Sequence, residues 1–278
     1  MIGERTHPGL DEILACPTCR GRVRRLGTTL VCGGCEHRFS FQDGVAIFLP
    51  DPPETAPPDH ASNPIGPEFE AILQDGADFI LNIGAGATTT RYANCVEFEH
   101  KIFRHTDVVG DAHRLPFRDD VFDRVFAFNV FEHLRDPKLA AGEIQRVLKP
   151  GGIATIHTAF LQALHEPPHH FFNATEFGVR EWFSGFEIDA CHVSGNFGPG
   201  VMLAFLMSSV LHTVRAAGVS WKDQAQLENT SLGEWADFWA GKAAAPPGFD
   251  LLQKLPQEFQ SGIAAGFELT ARKPGATR

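Results

Sequence analysis

Short apolar runs recur between residues 79 and 157, separated by turn-rich or amphipathic segments, which is typical of strands that alternate with helices. The runs are Phe79–Ile83, Cys95–Glu99, Asp107–Val109, Phe122–Phe128 and Gly152–His157. Between the last two runs, Pro137–Leu148 places Leu139, Ile144 and Val147 on one face and predicts an amphipathic helix. The pattern predicts an α/β core with a parallel sheet, which we assign to residues 68–194.

The first run ends at a glycine-rich turn. Residues 78–90 have the sequence Asp-Phe-Ile-Leu-Asn-Ile-Gly-Ala-Gly-Ala-Thr-Thr-Thr. Gly84 and Gly86 permit a sharp turn and leave no side chain between the backbone and a ligand. Because open α/β sheets bind ligands at the carboxyl ends of their strands, we expect a nucleoside or amino-acid moiety to lie against this turn.

Four of the six cysteines lie in the first 50 residues, in two Cys-x-x-Cys pairs. The pairs are Cys16 with Cys19 and Cys32 with Cys35. Two such knuckles a short hairpin apart can surround one ion with four thiolates, so residues 1–50 predict a zinc ribbon with structural Zn²⁺. Two disulfides are the alternative, which the absence of a secretion signal at the N-terminus disfavours.

Residues 51–67 are rich in proline and lack apolar periodicity. This composition predicts an extended, semi-rigid linker. We expect the linker to separate the core of the ribbon from the core of the α/β domain.

Charge and hydropathy argue against two classes of protein, those that bind phosphate over a broad surface and those that span a membrane. The chain has 278 residues and a formal net charge of -10, which argues against broad phosphate binding by the whole protein. No apolar run reaches the roughly 18 residues of a membrane span. The longest, Val201–Val214, is interrupted by Ser208, Ser209 and His212, so we expect a buried helix there. We also expect no membrane segment and a cytoplasmic location.

Four further motifs, in order along the chain, carry a resemblance to a known family. They are Gly110–Phe117, Asp120–Asp123, Phe131–Pro137 and Arg146–Gly152. With the glycine-rich turn, they resemble the class I S-adenosylmethionine-dependent methyltransferases, most closely the type 11 subgroup, over residues 79–186. The N-terminal block resembles the small zinc-ribbon modules attached to, or partnering with, some RNA and protein methyltransferases.

The resemblance implies an α/β fold of the class I methyltransferase, Rossmann-like type, with a small N-terminal zinc ribbon and a helical insertion before the last strand. Phe186–Val193 and Gly266–Lys273 alternate like strands, and the second resembles the last strand of that sheet. Residues 195–262 are then a helical insertion, acting as a lid or a dimer element, and residues 263–278 are the final core strand and tail. The predicted helices of the insertion are Gly200–Ala217, Leu227–Trp239 and Gly248–Phe259. Its aromatic residues could line an apolar pocket, hold a homodimer together or pack in an ordinary helical core.

The resemblance also implies roles for the residues around the first two strands. Gly84, Ala85 and Gly86 would face the methionine and ribose portion of S-adenosylmethionine. Glu99, at the end of the second strand, would bind the ribose hydroxyls, because a carboxylate accepts two hydrogen bonds from a diol. An exposed acid at a strand end is the alternative for Glu99, and Glu97 is a second candidate for the ribose.

The adenine and the reacting methyl group have candidate partners further along the chain. Asp111 would accept a hydrogen bond from the adenine amino group, with the Ala112 amide and Leu115 beside the ring. The alternative for Asp111 is a turn-forming role. Asn129, which ends the fourth strand, would lie near the sulfonium or the methyl acceptor.

Two positions of the turn depart from the family pattern. Asn82, a candidate cofactor-binding residue, stands where the family usually has an acid, and Thr88 stands where it usually has a third glycine. Little room for a helix remains between Thr88 and Cys95 or between Glu99 and Asp107, so we expect the first two crossovers to be abbreviated.

A histidine-rich stretch follows the fifth strand, in the loop that lies over the transferable methyl group in this family. Histidine titrates near neutral pH and can remove a proton from an acceptor. His170 or His169 is therefore a candidate base or orienting group. The alternatives are a hydrogen-bonded loop histidine and a metal site formed by His165, His169 and His170.

The expected activity is transfer of a methyl group from S-adenosylmethionine, in line, to an oxygen or nitrogen of a small-molecule acceptor. An RNA methyltransferase is a second hypothesis, in which basic residues of the ribbon hold the substrate. These residues are Arg20, Arg22, Arg24, Arg25 and Arg38, and nearby acids almost cancel their charge. A non-catalytic, methyltransferase-like scaffold that binds protein partners is a third hypothesis.

Overall fold

A computed structural model describes residues 6–60, 62 and 65–270. Two compact units divide the chain. The first unit extends to Phe160 and also includes Phe171–Cys191, and the second consists of Leu161–His170 and the residues from His192 onward.

The N-terminal module of the first unit is a short helix followed by an antiparallel meander. Helix α1 covers Leu10–Ile13, and the strands are β1 (Val23–Leu26), β2 (Thr29–Cys32), β3 (Arg38–Gln42) and β4 (Val45–Ile47). Each strand pairs with the next in antiparallel register, as in Val23 opposite Cys32 and Gln42 opposite Val45. We call residues 6–50 the ribbon module.

The rest of the first unit contains a parallel sheet. Its strands are β5 (Ile80–Ile83), β6 (Cys95–Glu99), β7 (Val108–Val109), β8 (Phe122–Phe128) and β9 (Leu148–His157). Its helices are α2 (Pro67–Asp75), α3 (Pro137–Val147) and α4 (Glu176–Trp182), with short 3-10 helices at Ala112–Arg114 and Phe131–His133. The five predicted strands and the predicted helix are confirmed, with shifts of a few residues at some ends. Ile144 and Val147 of its predicted apolar face are buried, but Leu139 is exposed. The abbreviated crossovers are also confirmed, because residues 84–94 and 100–107 contain no helix.

The two sets of strands form one sheet rather than two. The strand order is β1-β2-β3-β4-β7-β6-β5-β8-β9. Strand β4 pairs in parallel with β7, with Ala46 opposite Val108 and Ile47 opposite Val109. The prediction of two cores separated by the linker is therefore wrong, because one hydrophobic core contains side chains of both parts. Its members include Leu14, Leu30 and Phe41 of the ribbon module and Phe98, Phe117 and Phe122 of the parallel sheet.

The second unit is helical and has its own small core. It contains α5 (Pro199–Ala216), α6 (Trp221–Glu228), α7 (Leu232–Trp239), α8 (Phe249–Gln253) and α9 (Gln257–Gln260). Val214, Leu227 and Leu255 are the buried residues of this core among the described residues. The predicted helix Leu227–Trp239 is broken, because Ser231 forms a capping box with Glu234 and starts α7. Pro256 likewise separates α8 from α9.

The long apolar helix was predicted correctly, but its predicted burial is wrong. Val214 is the buried residue of α5 among the described residues, and Val201, Leu203 and Met207 are exposed. The helix has the length and apolar composition of a membrane span, a weak criterion that some helices of soluble proteins also meet.

The two predicted late strands are not formed in the described residues. Phe186–Val193 has no strand structure and follows α4 as irregular chain. Residues 266–270 are also irregular, and the rest of the predicted final strand, 271–273, lies outside the described residues. Alternating side chains predict a strand only where a neighbouring strand can pair with it, and within the described part of the chain neither segment pairs with the sheet.

The shared core predicts that the ribbon module and the parallel sheet unfold together. Leu14 is fully buried and forms an isolated bridge with Phe117. We expect Leu14→Ala to lower the free energy of unfolding by about 2–5 kcal/mol, because it leaves a cavity in this core. Leu26→Ala, at an exposed position of β1, is the matched control and should change it by less than about 0.5 kcal/mol.

The measurement is denaturant unfolding followed by far-ultraviolet circular dichroism and, in parallel, by reactivity of the ribbon cysteines. Both probes should shift together in Leu14→Ala. Loss of the ribbon signal at a lower denaturant concentration, with an unchanged sheet signal, would contradict the shared core.

Candidate active site and metal centre

The glycine-rich turn follows β5 directly and packs tightly. Gly84 and Gly86 have φ values of 68° and 66°, which only glycine adopts easily. The Gly84 amide donates to the Phe98 carbonyl of β6 at 2.9 Å. A Cβ at Gly84 would overlap Val130, and a Cβ at Gly86 would overlap Ser62. The turn therefore needs glycine for its sharp conformation, as predicted, and also for its packing against Val130 and Ser62.

Glu99 lies at the carboxyl end of β6 and touches the glycine-rich turn. Its Oε1 accepts a hydrogen bond from the Gly86 amide at 2.5 Å, and its Oε2 accepts one from the His100 amide at 3.2 Å. The side chain is buried, so the alternative of an exposed strand-end acid does not describe it. Each carboxylate oxygen can accept a further hydrogen bond, which is what a ribose diol would require.

Asp111 caps the short 3-10 helix that contains Ala112. Its Oδ1 accepts from the His113 amide at 2.9 Å and contacts His113 Nδ1 at 2.6 Å. His113 Nε2 accepts from the Asp136 amide at 3.1 Å, which places the hydrogen of a neutral imidazole on Nδ1. The hydrogen bond from the His113 side chain lowers the pKa of Asp111. The turn-forming role therefore exists, but these bonds involve only Oδ1.

Leu115 and Asn129 lie in different surroundings. Leu115 is fully buried in the core of the first unit. Asn129 directly follows β8 and has a left-handed backbone, with φ of 57°. Its amide donates to the His157 carbonyl at 2.9 Å. The next residue, Val130, packs on Gly84. The structure therefore brings Gly84, Ala85, Gly86, Glu99 and Asn129 to one edge of the sheet.

Asn82 and Thr88, the two departures from the family pattern, lie near a buried carboxylate. Asn82 is buried in β5 opposite Glu97 of β6. The Thr88 hydroxyl donates to Glu97 Oε1 at 2.6 Å and lies 2.9 Å from His105 Nδ1. Threonine at this position therefore ties the turn to β6, a function that spacing alone did not reveal.

The carboxylate of Glu97 is buried with few hydrogen bonds to stabilise it. Its Oε2 has no hydrogen-bond partner among the described residues, and the neighbouring Asp107 forms an ion pair with Arg91. Burial raises the pKa of Glu97 from 4.5 to about 7, partly offset by the Thr88 hydrogen bond. Burial raises the pKa of Asp107 as well. Sequence pattern did not predict this acidic cluster.

The four cysteines of the ribbon module meet at one point. Cys16 Sγ lies 3.6 Å from Cys35 Sγ, and Cys19 Sγ lies 3.4 Å from Cys32 Sγ. All four sulfurs lie within 4.8 Å of one another. A disulfide would need a separation of about 2 Å, whereas tetrahedral thiolates around zinc are about 3.8 Å apart, given Zn–S bonds of about 2.3 Å. The cluster fits a metal ion better than two disulfides.

Backbone amides favour thiolates in this cluster. The Gly21 amide lies 3.4 Å from Cys19 Sγ, and the Gly34 amide lies 3.3 Å from Cys32 Sγ. Burial alone would raise the pKa of Cys32, but hydrogen bonds from Cys35, Gly34 and Cys19 lower it to about 6. Glycine at position 21 allows this approach, since a Cβ there would lie only 3.1 Å from Cys32 Sγ and 3.2 Å from Cys19 Sγ.

A chain of polar contacts links the cysteine knuckle of Cys16 and Cys19 to the segment after Asp111. Arg20 follows Cys19 and donates to Glu143 Oε1 of α3 at 3.0 Å. Glu143 holds Arg146 through two hydrogen bonds of 2.8 and 2.6 Å. Arg146 donates to the Leu115 and Phe117 carbonyls at 2.9 and 2.7 Å. The ribbon module thus supports the loop that the resemblance assigns to adenine.

His169 and His170 belong to the second unit. His170 Nδ1 accepts a hydrogen bond from the His165 amide at 3.2 Å, and the two imidazole rings are 4.1 Å apart. The His169 amide donates to the Glu166 carbonyl at 2.9 Å. A neutral His170 in this arrangement carries its hydrogen on Nε2. Their proposed role in catalysis stays a prediction.

The Arg146 network predicts a large loss of stability when the guanidinium is removed. We expect Arg146→Met to lower the free energy of unfolding by about 3 kcal/mol, because Glu143 and two carbonyls lose a buried partner. Arg180→Met is the matched control, since its ion pair with Glu176 is exposed, and it should cost less than about 1 kcal/mol. Equal, small effects of the two substitutions in chemical denaturation would contradict the network.

The raised pKa of Glu97 predicts that the free energy of unfolding falls as pH rises. Between pH of about 4.5 and 7 the folded protein keeps the Glu97 proton that the unfolded chain releases, so each pH unit costs up to about 1.4 kcal/mol. We expect Glu97→Gln to remove this part of the slope and leave the contribution of Asp107. Glu68→Gln, at an exposed position of α2, should keep the slope of the wild type. Parallel curves for wild type and Glu97→Gln between pH 5 and 8 would contradict the assignment.

Comparison with known proteins identifies two domains. Residues 84–156 match the family model described as "Methyltransferase domain", and residues 8–44 match the one described as "Trm112p-like protein". A sterol 24-C-methyltransferase of Gibberella zeae, ERG6B, is 27% identical over 139 residues, or 48% of this chain and 30% of that protein. An uncharacterised methyltransferase of Schizosaccharomyces pombe is 48% identical over 44 residues, or 16% of each protein. The chain therefore spans less than a third of the length of either relative.

Among solved structures, the complex between the Haloferax volcanii Trm112 methyltransferase activator and a methyltransferase aligns with a TM-score of 0.31 and 22% identity. The alignment covers 42% of this chain and 66% of that one. The two family matches confirm both resemblances noted in the sequence. This chain contains a methyltransferase domain, at residues 84–156, preceded by a Trm112p-like zinc-ribbon domain at residues 8–44.

Proposed function

We propose that this protein binds S-adenosylmethionine at the carboxyl ends of β5, β6 and β8 and transfers its methyl group to a small-molecule acceptor. One observation carries the proposal. Within the matched methyltransferase domain, the Gly86 amide and the Glu99 carboxylate join the glycine-rich turn to the end of β6, where such a fold binds its ligand. When bound, the cofactor supplies a sulfonium methyl group that an oxygen or nitrogen nucleophile attacks in line.

Two parts of the chain hold the cofactor in this proposal, and a third orients the acceptor. Glu99 accepts the ribose hydroxyls on the oxygens that already accept the Gly86 and His100 amides. Asp111 accepts from the adenine amino group through Oδ2, while Oδ1 stays with His113. The Asn129 side chain, held on a left-handed residue at the end of β8, orients the acceptor. Catalysis then comes mainly from positioning the two reactants.

His170 or His169 acts in this proposal as the base or as the orienting group. An imidazole can remove a proton from an acceptor or hold the acceptor by a hydrogen bond.

A small-molecule acceptor is favoured over RNA by the arginines of the ribbon module. Arg20 is paired with Glu143, and Arg25 is paired with Asp11 and lies 4.5 Å from the centre of the Phe41 ring. Two of the five candidate arginines are thus already neutralised. Together with the net charge of -10, this argues against an RNA-binding face on the module.

We further propose that the four ribbon cysteines bind one structural Zn²⁺ and that the ribbon module supports the methyltransferase domain within the same chain. The pairing of β4 with β7 and the Arg20–Glu143 contact support this role. Zinc thiolates require reduced cysteines, so a cytoplasmic location is part of the proposal.

Metal analysis tests the zinc assignment. We expect about one zinc per chain in protein purified without chelator, and about none in Cys32→Ser, because a thiolate ligand is lost. Cys191→Ser is the matched control, since Cys191 is not part of the cluster, and it should keep its zinc. Iron in place of zinc, or a metal-free wild type with two disulfides, would contradict the assignment.

Calorimetry with S-adenosylmethionine tests the function. We expect Glu99→Gln to raise the dissociation constant about tenfold, because one strong acceptor for the ribose diol is lost. Glu97→Gln, two residues earlier on the same strand, should change it less than about twofold. The opposite ranking would move ribose binding to Glu97. No binding by the wild type at millimolar concentration would favour the scaffold hypothesis.

A further inference from the structure

The linker, residues 51–67, is not a free spacer in its described part. The Ala56 amide donates to the Ile102 carbonyl at 2.9 Å, and the Ile102 amide donates to the Glu54 carbonyl at 2.8 Å. Further along, the His60 ring lies 5.3 Å from the Phe103 ring. These contacts fix the linker beside the β6–β7 loop, which begins directly after Glu99.

Ser62 of the linker reaches the glycine-rich turn. Its Oγ accepts a hydrogen bond from the Ala87 amide at 2.8 Å. A Cβ built at Gly86 would overlap both Oγ and Cβ of Ser62, so the serine lies directly on the bare backbone of Gly86. The Gly86 amide on the same residue donates to Glu99. Ser62, Gly86 and Glu99 therefore meet at the proposed cofactor site.

The chemistry of the Ser62 hydroxyl points to a ligand with an anionic group. A serine hydroxyl has two acceptor lone pairs and one hydrogen to donate. The Ala87 amide uses one lone pair, so the hydrogen is free to serve an acceptor outside the turn. The Gly86 and Ala87 amides already donate to Glu99 and Ser62, so the Ser62 hydroxyl is a donor that this corner of the turn offers to a ligand. A carboxylate accepts such a hydrogen bond strongly.

We propose that Ser62 is a cofactor-binding residue that donates to the carboxylate of the methionine moiety of S-adenosylmethionine. The linker then supplies part of the cofactor site, and the segment between the two domains has a direct part in binding. The inference rests on the proposed function, because it needs the cofactor to lie against the glycine-rich turn.

Binding of two ligands to Ser62→Ala tests the inference. S-adenosylmethionine carries the methionine carboxylate, whereas 5′-methylthioadenosine has the same nucleoside and lacks the amino-acid part. We expect Ser62→Ala to raise the dissociation constant of S-adenosylmethionine about tenfold and that of 5′-methylthioadenosine less than twofold. Thr89→Ala is the matched control, since it removes a hydroxyl from an exposed position of the same turn, and it should leave both constants unchanged.

The remaining outcomes separate this inference from the proposed function. A wild type that binds neither ligand contradicts the proposed function itself. If the wild type and Ser62→Ala bind S-adenosylmethionine equally tightly, the role of Ser62 is overturned and the proposed function is not. Equal weakening of both ligands would mean that Ser62 only shapes the turn, and tighter binding by Ser62→Ala would mean that it blocks the site. Either of these results also overturns the inference.

Discussion

The parallel pairing of β4 with β7 is the contact on which the rest of the first unit depends. Strand β7 has only two residues, Val108 and Val109, and both are fully buried because β4 and β6 lie on either side. An unpaired edge at β7 would expose two apolar side chains and a row of backbone donors and acceptors. The ribbon module removes that edge and extends the sheet to nine strands.

The polar interactions of the first unit follow from this arrangement. Strand β6 lies inside the sheet and carries two acids, Glu97 and Glu99, on one face, with Asp107 at the start of the next strand. Burial of several carboxylates near one arginine is costly unless hydrogen bonds offset it. Glu99 has two backbone amides as partners, whereas Glu97 has one hydroxyl and a raised pKa. The better-satisfied acid is the one at the proposed cofactor site.

The sequence predicted the parts of this fold that depend on local pattern. The apolar runs predicted β5, β6 and β8 closely, and the cysteine spacing predicted the metal cluster, because period and spacing are local properties. Strand β9 begins earlier than predicted, because Leu148 pairs with Phe122 of β8 before an irregularity, and regular pairing resumes only at Ile153, opposite Arg124. The local pattern of residues 148–152 does not reveal this pairing. A local pattern also does not show whether a partner strand is present, which is why the strand predicted at Phe186–Val193 is not formed.

Contacts between residues that are far apart in the sequence could not be predicted from local pattern. Thr88 and Glu97 are nine residues apart and meet only because the turn folds back on β6. Ser62 and Ala87 are 25 residues apart, and a proline-rich composition gives no sign of such a contact. The Arg20–Glu143 pair joins residues 123 positions apart. Candidate site residues in family motifs could thus be named from sequence, but their supporting neighbours could not.

The nine-stranded sheet also has a consequence for how the two domains assemble. Because β4 and β7 belong to one polypeptide, their association is a first-order process whose equilibrium is independent of protein concentration. Dilution cannot separate them, and a ribbon module that unfolds stays tethered within reach of the same sheet edge. Reassembly then requires only a loop closure, with no search for a second molecule.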